Sequence, residues 1–226
     1  MKNEIIFTDL GLMAYQTAWD YQKKIFDEIM DKKFSSSKPA YFNHLLFCEH
    51  PNVYTLGKSG SEANLLIDFI KLKNIEAEFY KTDRGGDITY HGPGQIVGYP
   101  LFDLDNIGIG VRQYIFMLEE AIILTLAEYN INAERLDNAT GVWLDTGVAG
   151  KARKICAIGV KVSRSITMHG FAFNVNTDLN FFNYINPCGF TDKSVTSMEK
   201  ELGARQDFDE VKAKLKDNIY KVFAKY

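Results

Sequence analysis

Cys188 sits in Asn186-Pro187-Cys188-Gly189, where a proline fixes the backbone before it and a glycine frees the backbone after it. A thiol held at such a bend suits a nucleophile better than a packed side chain, and the matching reaction is acyl transfer through a thioester. An ordinary thiol has a pKa near ~8.5 and is mostly protonated at neutral pH, so it needs a neighbouring base or cation. The stretch from Thr177 to Pro187 supplies no lysine, arginine or histidine. The candidate lies upstream at Lys154, directly before the apolar run Ile155-Cys156-Ala157-Ile158-Gly159-Val160. Partial burial there would ease loss of its proton and let the amine accept one from a thiol. A Cys188/Lys154 pair could then attack a thioester and return the proton to the departing group.

A second concentration of unusual residues is Arg84-Gly85-Gly86-Asp87-Ile88-Thr89-Tyr90-His91-Gly92-Pro93-Gly94-Gln95, with four glycines, a proline, an arginine and a histidine in twelve positions. That density lets backbone N–H groups come close to a ligand. His91 and His169 each stand beside a glycine and not in an apolar run, which suits a pocket or positioning role. Between Thr146 and Thr177 there is no Asp or Glu, while Lys151, Arg153, Lys154, Lys161 and Arg164 give a local charge of about +5. Such a run alone reads as a solvated basic face; the apolar strand that follows Lys154 sets that residue apart.

These groups must be carried by secondary structure. Glu4 to Thr8 reads as a short strand, and Leu12, Tyr15, Trp19, Phe26, Ile29 and Met30 recur at helical spacing as far as Asp31. His44 to Glu49 reads as an apolar strand, and His50 to Gly57 as a bend leaving it. Glu76 to Tyr80 is a strand leading into the glycine-rich segment, and Gln95 to Leu104 a strand interrupted at Pro100. Val111 to Tyr129 is a second long helix with Tyr114, Leu118, Ala121, Ile122 and Thr125 inward. Gly141 to Leu144, Ile155 to Val162 and Ile166 to Val175 read as hairpin strands, and Asp207 to Tyr226 as a closing helix. Strands mixed with helices without regular alternation predict an α+β fold, a mixed or antiparallel sheet flanked by helices.

The chain's 226 residues, 46% of them hydrophobic, fit one domain spanning 1–226. A net charge of −3 gives no general attraction to nucleic acid. No apolar stretch is long enough for a signal segment or a membrane span, so a cytoplasmic protein without membrane attachment is expected. Cys48, Cys156 and Cys188 form no CxxC pair, which argues against a disulfide framework or a thiolate zinc site. His44, Cys48 and His50 share strand parity, but the apolar residues between them favour a structural role, and no metal is expected.

Five segments in order complete the reading: His50 to Gly57, Arg84 to Gln95, Gly150 to Ile155, His169 to Val175 and Asn186 to Gly189. Together they resemble the lipoyl(octanoyl) transferase family, which moves an octanoyl group from acyl carrier protein to a lysine of a lipoyl domain. The resemblance runs from Leu12 to about Met198 and implies a fold similar to the biotin/lipoate protein ligase catalytic domain. It implies Cys188 as the nucleophile that holds the acyl thioester and Lys154 as the lysine that lowers its pKa. It also implies an acyl pocket lined by Arg84, Gly85, Gly86, Asp87, Ile88, Thr89, Tyr90 and His91, with Ala157, Ile158, Gly159 and Gly170, Phe171, Ala172 as its other walls. No cofactor is implied. The implied donor is octanoyl-acyl carrier protein, and the acceptors are lipoyl domains of 2-oxoacid dehydrogenases and the glycine cleavage H protein. Where this chain has Asp87 the family often has Gln. Because such partners are acidic, the basic run is expected to steer them.

The nearest rival is an ATP-dependent lipoate protein ligase, which activates a carboxylate as an adenylate and needs no nucleophilic thiol. A non-catalytic carrier-binding module would be expected to lack the thiol or the lysine. A papain-like hydrolase would need an oriented histidine, which His169 with Asn174 only loosely imitates.

Overall fold

Tyr15, Ala18, Gln22, Ile25, Phe26 and Ile29 recur mostly at three- and four-residue spacing, so one helix can bury them all on a single face. In the computed structural model, which describes residues 4–37, 39–186 and 194–224, that helix is α1 (Tyr15–Phe34), preceded by strand β1 (Ile5–Leu12). The chain continues through β2 (Asn43–Glu49), β3 (Val53–Leu56), α2 (Phe69–Asn74), β4 (Glu78–Lys81), β5 (Ile88–His91) and β6 (Gln95–Leu101). After α3 (Leu104–Ile107) and α4 (Val111–Ala127) come β7 (Val142–Leu144), β8 (Arg153–Ser163) and β9 (Ile166–Asn174). The last described elements are a 3₁₀ turn (Leu179–Tyr184), β10 (Ser194–Val195), α5 (Met198–Leu202) and α6 (Phe208–Phe223).

Among the described residues the strands form two sheets. The larger has the order β1-β2-β6-β9-β8-β10, with β7 also paired to β8; the smaller has the order β4-β3-β5. Pairs β1–β2, β8–β10 and β3–β4 are parallel and the others antiparallel, so the fold is the mixed α+β arrangement that the alternation of elements predicts. Period-two alternation sorts the residues of β2 between two cores. Leu45 and Phe47 join Phe171 and Phe173 under α4 and α6, while Leu46 and Cys48 join Val97, Tyr99 and Met168 under α1. Strand β6, covered on both sides, is buried along its whole length. A third core gathers Tyr54, Leu56, Ile88, Tyr90 and Ile185 behind the smaller sheet.

Four local readings change. Leu12, read as the start of the first helical stripe, is the last residue of β1 and exposed, the helix beginning at Tyr15. The segment His50 to Gly57 is not only a bend: Val53–Leu56 pairs with both β4 and β5 as the centre of the small sheet. The glycine-rich segment likewise contains strand β5, because Ile88–His91 zips onto β3. Pro100 does not interrupt β6, since it pairs with Leu45 and the ladder to β9 has already ended at Gly98. On that side no bond is lost for want of its N–H.

Close approach of β6 and β9 depends on Gly98, which faces Phe171; any Cβ there would overlap the Phe171 ring. Gly98→Ala should therefore cost about 1–3 kcal/mol in urea unfolding, by overpacking. Gly147→Ala, where the space is open, should stay within about 0.5 kcal/mol of the parent.

Candidate active site

Lys154 reaches the site through an irregularity in its strand. Trp143 pairs with Lys154 and Val142 with Cys156, so Ile155 is one residue too many in β8. An extra residue resets the alternation of faces, and Lys154 shares a face with Ala157 and Gly159 while Cys156 stays in the core. Lys154 Nζ donates to the Thr140 carbonyl at 3.1 Å and lies 4.6 Å from the centre of the Trp143 ring.

That face opens on a cavity of about 900 Å³ between the two sheets. Its floor is the β8–β9 ribbon, where Ala157 pairs with Ala172 and Gly159 with Gly170, leaving no side chain larger than a methyl; Ile158 and Phe171 border it. The facing wall is the glycine-rich segment: Arg84, Gly85, Gly86, Asp87, Ile88, Thr89 and His91 all line the cavity. Tyr90 does not. Alternation along β5 turns it away, its hydroxyl donating to Asn52 at 2.8 Å and its ring stacked on Phe181 at 4.8 Å. Cys188 lies outside the described residues. Asn186 and Ser194, the described residues on either side of the stretch that contains it, both line the cavity with Lys154.

Behind the wall runs a chain of buried polar groups. The Arg84 guanidinium, 8% exposed, donates to the Thr55 carbonyl at 2.6 Å, the Thr55 hydroxyl at 2.9 Å and the Gly85 carbonyl at 3.0 Å. The hydroxyl oxygen of Thr55 is 3.2 Å from His91 Nε2, and His91 Nδ1 is 2.8 Å from Gln95 Oε1. The Gln95 amide nitrogen donates to the Tyr90 carbonyl and to Asn174 Oδ1, which fixes Oε1 as an acceptor. His91 therefore carries its proton on Nδ1 and accepts from Thr55 on Nε2. Burial pushes its pKa well below the usual histidine value, so it is a neutral hydrogen-bonding group at neutral pH. His169 is also pushed down by burial; its Nε2 lies 2.7 Å from Asp83 Oδ1. The His169 hydrogen bond, helped by Lys161, holds the Asp83 carboxyl well below the usual carboxylate range.

The other two thiols stand apart from the cavity. Cys48 and Cys156 are buried, and desolvation raises both, the Cys48 thiol to about 12. Cys48 Sγ is 3.7 Å from His50 Nδ1, which also meets the Met13 carbonyl at 2.7 Å, and burial lowers His50 to about 4. Among the described residues no group of three or more His, Cys, Asp or Glu is placed to hold a metal ion. No described helix is long and apolar enough to cross a membrane.

The basic run is offset in three dimensions. Arg153 makes two 2.7 Å bonds to Glu201 and pairs with Asp145, and Lys161 pairs with Asp83 at 2.6 Å. The positive charge expected to steer acidic partners is thus reduced by carboxylates outside the run, Asp83 and Glu201 among them remote in sequence. Asn174, named above only beside His169, also lines the cavity, as do Tyr15, Gln95 and Trp143, which were given no site role from the sequence. Tyr15 lies on a helical core stripe and Trp143 in a short apolar strand, so spacing marks both as packing; Gln95 stood inside the motif without a distinguishing pattern.

The family model for the lipoyl protein ligase A/B catalytic domain matches residues 14–220. A protein of Parabacteroides distasonis called octanoyltransferase is 55% identical over 218 residues, covering 96% of this chain and 98% of its own. An octanoyltransferase of Cytophaga hutchinsonii is 51% identical, over 97% of this chain and 92% of its own. Among solved structures, lipoate-protein ligase A bound with ATP superposes with a TM-score of 0.69 at 16% identity, over 98% of this chain and 85% of that one. A biotin protein ligase from Aquifex aeolicus has a TM-score of 0.53 at 14% identity, over 98% of this chain and 71% of its own, so the ligases share the fold. By full-length similarity the chain belongs to the lipoyl protein ligase A/B catalytic-domain family and, within it, to the lipoyl(octanoyl) transferases.

Proposed function

We propose that the protein is an acyltransferase that moves an octanoyl group from octanoyl-acyl carrier protein to a lysine of lipoyl domains, by way of a thioester on Cys188. The carrying observation is that Lys154 faces a cavity also lined by Asn186 and Ser194, the residues that bracket the Cys188 stretch. The two remaining thiols are buried in the cores and away from that cavity, which leaves Cys188 as the nucleophile.

In the proposed cycle the Lys154 amine takes the thiol proton, and the thiolate attacks the carbonyl of the octanoyl thioester. The carrier's sulfur leaves with the proton from Lys154. The acceptor lysine then attacks as a free amine; its proton passes through Lys154 to the Cys188 sulfur as the amide forms and the thioester breaks. The bare floor at Ala157 and Ala172 leaves room for the acyl chain, worth about 0.8 kcal/mol per buried CH₂. His91 and His169, kept neutral by burial, position wall residues and take no proton in the cycle. The ligase fold is compatible with ATP-dependent activation, so the distinguishing property is transfer without nucleotide.

Intact-protein mass spectrometry after incubation with octanoyl-acyl carrier protein and no ATP should register a gain of one octanoyl group, absent in Cys188→Ala. Octanoylation that requires ATP and survives Cys188→Ala would replace this reading with the ligase. Lys154→Met should lower kcat for octanoyl transfer by about 10²–10⁴ with the fold retained, as expected for loss of a proton carrier. A fall of less than about threefold would remove Lys154 from that role. Iodoacetamide at pH 8 should label the folded parent once and Cys188→Ser not at all, because desolvation keeps Cys48 and Cys156 protonated. Peptide mapping of the labelled residue checks this.

A further inference from the structure

The cavity face of β8 is bracketed by two lysines. From Lys154 the strand passes Ala157, where the floor is bare, and Gly159, on which Arg84 and Gly85 rest, and the next position on that face is Lys161. Its ammonium lies 2.6 Å from Asp83 Oδ2, and Asp83 Oδ1 is 2.7 Å from His169 Nε2. Neither Asp83 nor Lys161 lines the cavity; the wall in front of them is Arg84, Gly85, Gly159 and His169. Both are partly exposed, 34% for Asp83 and 28% for Lys161, so the ion pair stands between the inner end of the cavity and solvent.

The glycine-rich loop rests directly on the ribbon there. Gly85 N–H donates to the Val160 carbonyl at 2.9 Å, and the Gly85 carbonyl lies 2.9 Å from where a Cβ on Gly159 would be. Asp83, immediately before Arg84 and Gly85, ties the loop to both strands of the ribbon, through Lys161 on β8 and His169 on β9.

We infer that Asp83, gripped by Lys161 and His169, is a latch that closes the inner end of the cavity and limits the length of acyl chain it accepts. The inference rests on the reading above that the cavity holds an acyl chain. At a strand rise of about 3.3 Å, less the bulged residue, Lys154 and Gly159, on which the loop rests, are roughly 13 Å apart along β8. An extended eight-carbon chain takes about 9 Å of this, while chains of roughly twelve carbons or more would meet the loop that the latch holds down. Asp83 and Lys161 thus act on specificity through the wall and do not touch the reacting atoms.

Isothermal titration calorimetry of the full chain with saturated fatty acids, from hexanoate to hexadecanoate, tests the latch. In the parent, affinity should rise with length and break near ~12 carbons, each added CH₂ before the break contributing about fourfold. In Asp83→Ala and in Lys161→Met the rise should continue past that break, raising hexadecanoate affinity by about tenfold or more while octanoate affinity changes by less than about threefold. Lys161→Arg, which keeps the ion pair, should restore the parent's break. If Asp83→Ala does not fold, Lys161→Met carries the test, because it leaves the His169 bond to Asp83 in place. A break at unchanged length in the folded variants overturns the latch, as does a parent whose affinity ignores chain length. Octanoyl loading of Cys188 is measured on the same samples: loading without a shifted break removes the latch alone, and a shifted break without loading removes the transfer reading alone.

Discussion

The close approach of the glycine-rich loop to the β8–β9 ribbon is the constraint on which the site depends. Gly85 bonds to the Val160 carbonyl, and Gly159 offers no side chain to hold the loop away. Because the loop is continuous with β5, this contact fixes the small sheet against the large one, and the space between them becomes a cavity with a bare floor and a polar wall. A wall made of backbone and short side chains can lie near a ligand without filling the space meant for it. The buried Arg84 is what makes such a wall hold its shape, spending its donors on Thr55 and Gly85 backbone and hydroxyl oxygens.

The electrostatics of that wall follow from burial. His50, His91 and His169 all have lowered pKa values, and their ring nitrogens serve as fixed donors or acceptors to Tyr99, Thr55, Gln95 and Asp83. A neutral imidazole in a buried wall orients its neighbours without adding charge beside the cavity. At the opposite end Lys154 Nζ lies against Trp143 and the Thr140 carbonyl. The cavity thus has a lysine against an aromatic ring at one end and a hydrogen-bonded network of paired groups at the other.

Much of the scaffold was legible because it is periodic. The faces of α1, α4 and α6 follow from apolar spacing, and the β8–β9 hairpin from two apolar runs joined by a polar turn. Strands β3 and β5 were hidden because each is only four residues long and adjoins glycines that read as loop. The turning of Tyr90 away from Thr89 and His91 is a period-two effect that appears only once β5 is known to be a strand. The offset of the basic run was illegible for a different reason: Asp83 and Glu201 are brought to Lys161 and Arg153 by topology from far along the chain, while Asp145, just before the run, is turned onto Arg153 by the β7–β8 pairing. The Ile155 irregularity left no mark because an apolar run looks the same whichever side each residue faces.

A strand obeying strict two-residue alternation would commit every second position to one environment from end to end. By slipping its phase once, β8 can bury Ile155 and Cys156 together in the hydrophobic interior and still present an amine and a smooth channel bed on its opposite side. The stretch that bears Lys154 is thereby anchored by its immediate neighbours, so the stiffness of the interior is passed directly to that side chain.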